Sequence, residues 1–131
     1  MNDWLIRHQQ GLRFLLVGGS SSLLYALITA AVLRWTGWPA FVTGLFVFCL
    51  FVPVTFRAHS RVTFRAGRLR RGAFLRYAAL QLGCFAAVSI LTTTLVTGVY
   101  LIDTGVYLVT VGASAVLTFV VGRIAVFRPP A

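Results

Sequence analysis

The stretch YAALQLGCFAAVSILTTTLVTGVYLI, from Tyr77 to Ile102, holds no charged residue and directly follows Arg76. A helix needs about 20 apolar residues to cross about 30 Å of hydrocarbon. Because backbone groups in lipid must be hydrogen-bonded within the protein, an uncharged run of this length indicates a transmembrane helix. A barrel strand would be about ten residues long and would alternate apolar and polar residues. The stretch therefore predicts an all-α membrane protein.

Three more uncharged runs accompany it, at Phe14–Leu33, Trp35–Phe56 and Thr104–Gly122. Of the 131 residues, 59% are hydrophobic and 11% charged, whereas soluble domains are about 45–50% apolar and about 25% charged. This composition excludes a soluble globular enzyme and a disordered chain. We predict a single transmembrane domain over residues 1–131. Its four helices lie at about 14–33, 39–56, 77–101 and 105–122, and a basic loop spans residues 57–76.

The arginines predict how the chain is oriented. The chain has twelve arginines, two aspartates and no lysine or glutamate, for a net charge of +10. Eleven of the arginines lie before the first helix, in the middle loop or after the fourth helix, and only Arg34 lies on the other side. The positive-inside rule places both termini in the cytoplasm, in a multi-pass protein of the cytoplasmic (inner) membrane. Since the arginines bracket apolar runs, we expect no nucleic-acid partner.

The two halves of the chain share an ordered set of motifs. Two pairs of residues recur at a spacing of 63 residues: Arg13-Phe14 with Arg76-Tyr77, and Phe64-Arg65 with Phe127-Arg128. The arginines that lead the second motif, Arg61 and Arg123, lie 62 residues apart. Each half is a hairpin of the same topology, which predicts a parallel internal repeat about an axis along the membrane normal.

Small residues at every fourth position suggest where helices pack. The first helix has Gly18, Ser22 and Ala26 at this spacing, and Gly83 and Ser114 belong to similar stripes in the third and fourth helices. Small side chains let helix backbones approach closely in lipid. The stripes fit packing within one monomer or between copies. Because four short helices can hardly enclose a path for a large substrate, transport of one would favour a homo-oligomer, a dimer or higher.

The predicted spans lack the usual catalytic and coupling groups. None contains Asp, Glu, Lys or His, which argues against a small proton-coupled drug exporter. The chain has no paired carboxylates and no glycine-rich phosphate loop, so we expect no enzyme activity, no catalytic residue and no cofactor. Cys49 and Cys84 lack CxxC spacing, so we expect packing residues and no metal site.

The arginines near the membrane surface are the remaining residues that could bind a ligand. Guanidinium binds phosphate bidentately, and basic pockets between helices hold anionic lipid headgroups. The candidate phosphate-binding residues lie at or near helix ends: Arg13, Arg57, Arg61, Arg76 and Arg123. Alternatively, these arginines only orient the chain and attract anionic lipids. Thr55, His59 and Gln81 are candidates to line a crevice for a substrate. Hydrogen bonds between helices explain Thr55 and Gln81 nearly as well, and a solvated or interfacial position is the other interpretation of His59.

Three segments together resemble the GtrA-like family of small polytopic membrane proteins. The first is RFLLVGG at Arg13–Gly19, which opens the first span. The others are HSRVTF at His59–Phe64 and GRIAVF at Gly122–Phe127, which end the two halves. The resemblance covers nearly the whole chain. Where the family has an asparagine in the terminal motif, this chain has His59 and Gly122.

The resemblance implies a function in cell-surface polysaccharide or glycolipid synthesis. Family members are thought to flip a polyprenyl-phosphate-linked monosaccharide across the cytoplasmic membrane. The alternative is a non-transporting adaptor that recruits or stabilises a polyprenyl-phosphate-dependent glycosyltransferase. A lipid-linked sugar offers a phosphate to arginine, a polar head that needs a crevice, and a tail that stays in lipid. The expected partners are therefore this lipid, anionic membrane lipids and, in the second case, a glycosyltransferase.

Overall fold

The computed structural model describes residues 2–95 and 97–130, which form helices joined by short connections, with no β-strand among them. Each of the second and fourth helices continues into a five-residue turn of π-helix, here called the first π turn (His59–Thr63) and the second π turn (Gly122–Val126). The α-helices are α1 (Asp3–Thr36), α2 (Ala40–Ala58), α3 (Ala73–Leu95) and α4 (Tyr100–Val121).

All four helices are long and apolar enough to cross a membrane. With the π turns included, the candidate spans are Asp3–Thr36, Ala40–Thr63, Ala73–Leu95 and Tyr100–Val126. Large apolar side chains are exposed along them; Leu16, for example, is 72% exposed. Such surface suits contact with lipid and not with water. The prediction of an all-α protein with four transmembrane helices is confirmed, whereas the side on which the termini lie stays a prediction.

Helix α1 begins much earlier than predicted, at Asp3 instead of residue 14. The prediction began the helix after Arg13, because a charged residue is unfavourable in hydrocarbon. A charged residue does not interrupt a helix, however, so α1 continues beyond the apolar run. With 34 residues, α1 is about 51 Å long, about 20 Å more than the hydrocarbon core is thick. Helix α2 differs from its prediction by two residues at most, and Pro39 is its N-cap.

The turn between α3 and α4 lies before its predicted position, and Asp103 explains the difference. The sequence suggested that Asp103 ends a span, yet it lies in the first turn of α4. Its carboxylate accepts hydrogen bonds from the Thr97 N–H (2.7 Å) and hydroxyl (3.0 Å) and from the Gly98 N–H (3.0 Å). Gly98 has φ +84°, a left-handed conformation that glycine adopts without strain.

One expectation about the spans needs correction. The candidate spans contain Asp3 and His8 in Asp3–Thr36, His59 in Ala40–Thr63 and Asp103 in Tyr100–Val126, so the statement that no span holds an acid or a histidine is wrong. These residues lie near helix ends, where the sequence pattern could not separate span from loop.

The chain forms two compact units, Met1–Gly67 and Arg68–Ala131. Each unit is a helical hairpin that ends in a π turn, in the order α1, α2, first π turn and α3, α4, second π turn. The predicted internal repeat and the single domain stay predictions.

Tyr25 and Gly44 join the two helices of the first unit. The Tyr25 hydroxyl donates to the Gly44 carbonyl at 3.0 Å, and a Cβ on Gly44 would lie 3.1 Å from that hydroxyl oxygen. The Tyr25 ring meets Phe51 edge to face, with centroids 6.0 Å apart. The stripe of Gly18, Ser22 and Ala26 is not this contact, since a Cβ on Gly18 would meet nothing within 4 Å.

We expect Gly44→Ala to destabilise the first unit by about 1 kcal/mol, because the new methyl group displaces the Tyr25 hydroxyl and weakens its hydrogen bond. Thermal unfolding in detergent measures the effect. Gly18→Ala is the matched control and should be neutral or slightly stabilising, since its methyl group meets open space in a helix. Equal effects of the two variants would contradict this account of the α1–α2 contact.

We expect Asp103→Ala to destabilise the second hairpin, because three hydrogen bonds to one carboxylate are lost. Asp103→Asn should lose less, since an amide keeps one acceptor oxygen. Thr104→Ala is the neighbouring control, because that hydroxyl bonds only the carbonyl of Tyr100 in its own helix. Unfolding in detergent that shows no difference between Asp103→Ala and Thr104→Ala would refute the role of the carboxylate.

Candidate functional site

The first π turn ends α2 with wider hydrogen bonding than an α-helix. The Phe64 N–H donates to the His59 carbonyl at 2.9 Å, and the Ala66 N–H donates to the Ser60 carbonyl at 2.7 Å. Between these residues, Arg65 has φ +45°, a left-handed conformation in which glycine is usual at a helix C-terminus. Single π-helical turns occur frequently at functional sites. The turn therefore makes this end of the first unit a candidate functional site.

Three buried polar residues line the first π turn: His59, Ser60 and Thr63, here called the polar cluster. They are 4%, 6% and 1% exposed. His59 Nδ1 and Thr63 Oγ1 share a hydrogen bond of 2.9 Å, whose direction depends on the histidine tautomer. The Ser60 hydroxyl donates to the carbonyl of Arg57 at 3.0 Å. The cluster is thus hydrogen-bonded at the end of an apolar helix.

Phe14 of α1 holds the first π turn against its own helix. Its ring stacks on the His59 ring, with centroids 4.9 Å apart and an angle of 24° between the planes. Arg13 precedes Phe14, and Arg61 belongs to the turn that contains His59. The segments that contain Arg13 and Arg61 therefore meet at one end of the first unit, through the contact of Phe14 with His59.

The second π turn repeats this geometry with apolar residues. The Phe127 N–H donates to the Gly122 carbonyl at 2.8 Å. Val126 is fully buried, and the Tyr77 ring, 1% exposed, lies against Phe127 with centroids 5.9 Å apart. Gly122 and Val126 thus stand 63 residues after His59 and Thr63, in the same kind of turn.

The five candidate arginines differ in their surroundings. Arg13 is half-buried, and the other four are exposed: Arg57, Arg61, Arg76 and Arg123. Arg13 Nη2 donates to Gln9 Oε1 at 3.4 Å, one turn earlier in α1. Arg76 Nη1 donates to the carbonyl of Ala125 at 3.4 Å and so joins the start of α3 to the second π turn, which also contains Arg123.

Arg61 and Arg123 do not occupy equivalent positions. Arg61 is the third residue of the first π turn, whereas Arg123 is the second residue of the second one. The position that matches Arg123 holds Ser60. A difference of one residue turns a side chain by about 100° around a helix.

The three candidate crevice residues do not all belong to the same unit. Thr55 donates to the Phe51 and Val52 carbonyls of its own helix, at 3.0 and 3.1 Å. His59 belongs to the polar cluster. Gln81 is half-buried on α3, in the second unit.

An apolar groove of about 580 Å³ lies between α3 and α4 in the second unit. The predicted packing residues Gly83 and Ser114 line it, together with small and branched residues of both helices. A Cβ on Gly83 would meet nothing within 4 Å. Within the unit these residues therefore border open space, and packing against another surface stays a prediction. Residues 2–95 and 97–130 contain no group of three His, Cys, Asp or Glu side chains placed to hold a metal ion.

Sequence analysis found the arginines and His59 but missed Phe14, Ser60 and Thr63. The i, i+4 spacing of His59 and Thr63 was the available signal, because side chains at that spacing meet on a helix. The contact with Phe14 depends on how α1 packs against the first π turn, which no local pattern reports.

Four apolar helices in two hairpins define a multi-pass helical membrane protein. Over residues 13–127 the chain matches the family model of the GtrA/DPMS transmembrane domain, and it belongs to that family. The match confirms the resemblance that the opening motif at Arg13–Gly19 and the two terminal motifs predicted. No curated protein and no solved structure matches the chain.

We expect Thr63→Val to destabilise the first unit by about 1–2 kcal/mol, because it leaves His59 Nδ1 without the hydroxyl in a buried site. Thr94→Val is the control of the same shape, since the Thr94 hydroxyl is exposed and bonds only carbonyls of its own helix. Thermal unfolding in detergent compares the two. If both variants unfold like the parent protein, the His59–Thr63 bond contributes nothing to stability.

Proposed function

We propose that the protein flips a polyprenyl-phosphate-linked monosaccharide across the cytoplasmic membrane, for the synthesis of cell-surface polysaccharide or glycolipid. Membership of the GtrA/DPMS family fits involvement in the translocation of such lipids. The observation that carries the proposal is the pairing of arginines with a buried polar cluster at one end of an otherwise apolar hairpin. In this proposal that end faces the cytoplasm, as do both termini.

Arginine recognises the phosphate in this proposal. Arg13, Arg57 and Arg61 lie at the end of the first unit, where α1 meets the first π turn. A guanidinium offers a planar fork of donors that matches phosphate oxygens, and each charged hydrogen bond contributes about 1.5–3 kcal/mol. The polyprenyl tail stays in lipid, so the protein handles only the phosphate and the sugar. No bond is made or broken, and the protein is not an enzyme in this proposal.

The small number of acidic residues bears on the energy source of transport. Asp3 and Asp103 are its carboxylates, and Asp103 already accepts three hydrogen bonds in the α3–α4 turn. Proton coupling in transporters usually needs an acid within the spans that faces a path. We therefore propose downhill movement, driven by consumption of the sugar on the far side, in a homo-oligomer whose helices together enclose the head.

An adaptor function is the second candidate, and the exposed basic segment favours it. The segment between the first π turn and α3 carries four exposed arginines: Arg65, Arg68, Arg70 and Arg71. Such a surface can dock on an acidic face of a glycosyltransferase or on anionic lipid. Co-purification with a glycosyltransferase, together with no flipping by the isolated protein, would favour this function.

Flipping in proteoliposomes tests the proposal. The purified chain is reconstituted with a fluorescent polyprenyl-phosphate-linked sugar, and a membrane-impermeant quencher reports which leaflet holds the label. We expect the protein to accelerate flipping and Arg61→Gln to slow it about tenfold, the effect of one charged hydrogen bond.

Arg34→Gln is the matched control. It replaces an exposed arginine in the last turn of α1, away from the first π turn along the chain, and should flip like the parent protein. Vesicles that flip no faster with protein than without it would reject the flippase and favour the adaptor.

A further inference from the structure

The two π turns allow a comparison within one molecule. Each is closed by a hydrogen bond from a phenylalanine N–H to a carbonyl five residues earlier, at 2.9 Å for Phe64 and 2.8 Å for Phe127. The first turn buries His59 and Thr63, whereas the second buries Gly122 and Val126 at the corresponding positions. Since the second turn forms with apolar residues at these two buried positions, the geometry of the turn does not require His59 and Thr63 there.

An ionisable side chain within a membrane span is expensive and is by default a candidate for function, and His59 is such a residue. The polar cluster belongs to the candidate span Ala40–Thr63. A well-packed apolar replacement for buried polar groups is often neutral or stabilising, so the cluster's internal hydrogen bonds do not by themselves explain its presence. A polar ligand at the end of the first unit does explain it.

Arg13 and Arg76, 63 residues apart, have different partners. Arg76 reaches the Ala125 carbonyl and so stabilises the second π turn directly. Arg13 contacts Gln9, a neutral residue one turn away in its own helix. This bond is as long as that of Arg76, 3.4 Å, but it lies within one helix, so Arg13 can exchange it for a phosphate without breaking a contact to a π turn. Arg13 also adjoins Phe14, whose ring stacks on His59, whereas the Tyr77 ring, next to Arg76, lies against the phenyl ring of Phe127.

We propose that the first unit alone binds the lipid phosphate, through Arg13 and Arg61 beside the polar cluster, and that the second π turn is a structural counterpart that binds none. Each chain therefore holds one anionic headgroup. This inference rests on the proposed function and narrows it to one site. The ligand chemistry is a phosphate ester on a membrane lipid, which a polyprenyl phosphate or a phospholipid can supply.

Binding to the full-length chain tests the inference. Native mass spectrometry of the detergent-solubilised protein counts bound lipids during titration with a polyprenyl phosphate, and parallel titrations use phosphatidylglycerol and inorganic phosphate. We expect one polyprenyl phosphate per chain. Arg13→Gln should weaken binding about tenfold and leave the melting temperature unchanged. Arg76→Gln should lower the melting temperature and change the affinity less than threefold.

A triple variant separates binding from folding. Phe14→Tyr, His59→Gly and Thr63→Val together copy the lining of the second π turn into the first. Because both hydrogen-bonding partners are removed at once, the variant should fold, unlike one that strands a single partner. We expect it to lose binding at least tenfold. Unchanged binding by this variant, if it melts like the parent protein, would overturn the role of the polar cluster.

The remaining outcomes are also decisive. Two lipids per chain, or equal losses of affinity in Arg13→Gln and Arg76→Gln, would overturn the assignment to the first unit while the proposed flipping stood. A parent protein that binds no polyprenyl phosphate would overturn both. Phosphatidylglycerol binding with the same affinity and the same dependence on Arg13 would support the site and identify a general phospholipid headgroup as its ligand. Equally tight binding of inorganic phosphate would refute recognition of a lipid.

Discussion

The lack of water in hydrocarbon governs every other feature of this protein. Backbone groups in the spans must be bonded within their own helix, so the apolar runs fold as helices, and charged side chains collect near the helix ends. With 59% hydrophobic residues and large apolar side chains on its surface, the chain suits contact with lipid. Chemistry is thereby confined to short segments at the ends of the helices, where arginines and a few buried polar residues lie.

The two π turns show how one backbone geometry serves different purposes. In the first unit the turn presents His59 to Phe14 and buries a hydrogen-bonded Thr63. In the second, Tyr77 and Phe127 fill the corresponding region, and Arg76 satisfies a carbonyl of the turn. The same kind of turn thus buries hydrogen-bonded polar side chains in one half and apolar side chains in the other.

The sequence predicted the four helices well because long uncharged runs have few alternatives in a membrane. It misplaced helix ends where a charge was taken for a boundary, as at Arg13 and Asp103. Arg13 continues a helix that begins at Asp3, and Asp103 closes a turn from inside the next helix. Of the candidate site, the arginines and His59 were predictable from residue type. The stack of Phe14 on His59 and the Tyr25–Gly44 contact depend on helix packing, which no local pattern encodes.

The position of Asp103 has a consequence for biosynthesis. The loop that joins α3 to α4 is held by Asp103, which follows Thr97 by six residues and lies in the first turn of α4. During translation, the loop cannot lock until those six residues have been added and have started to wind. These hydrogen bonds of the second hairpin therefore form only after α4 has begun to form.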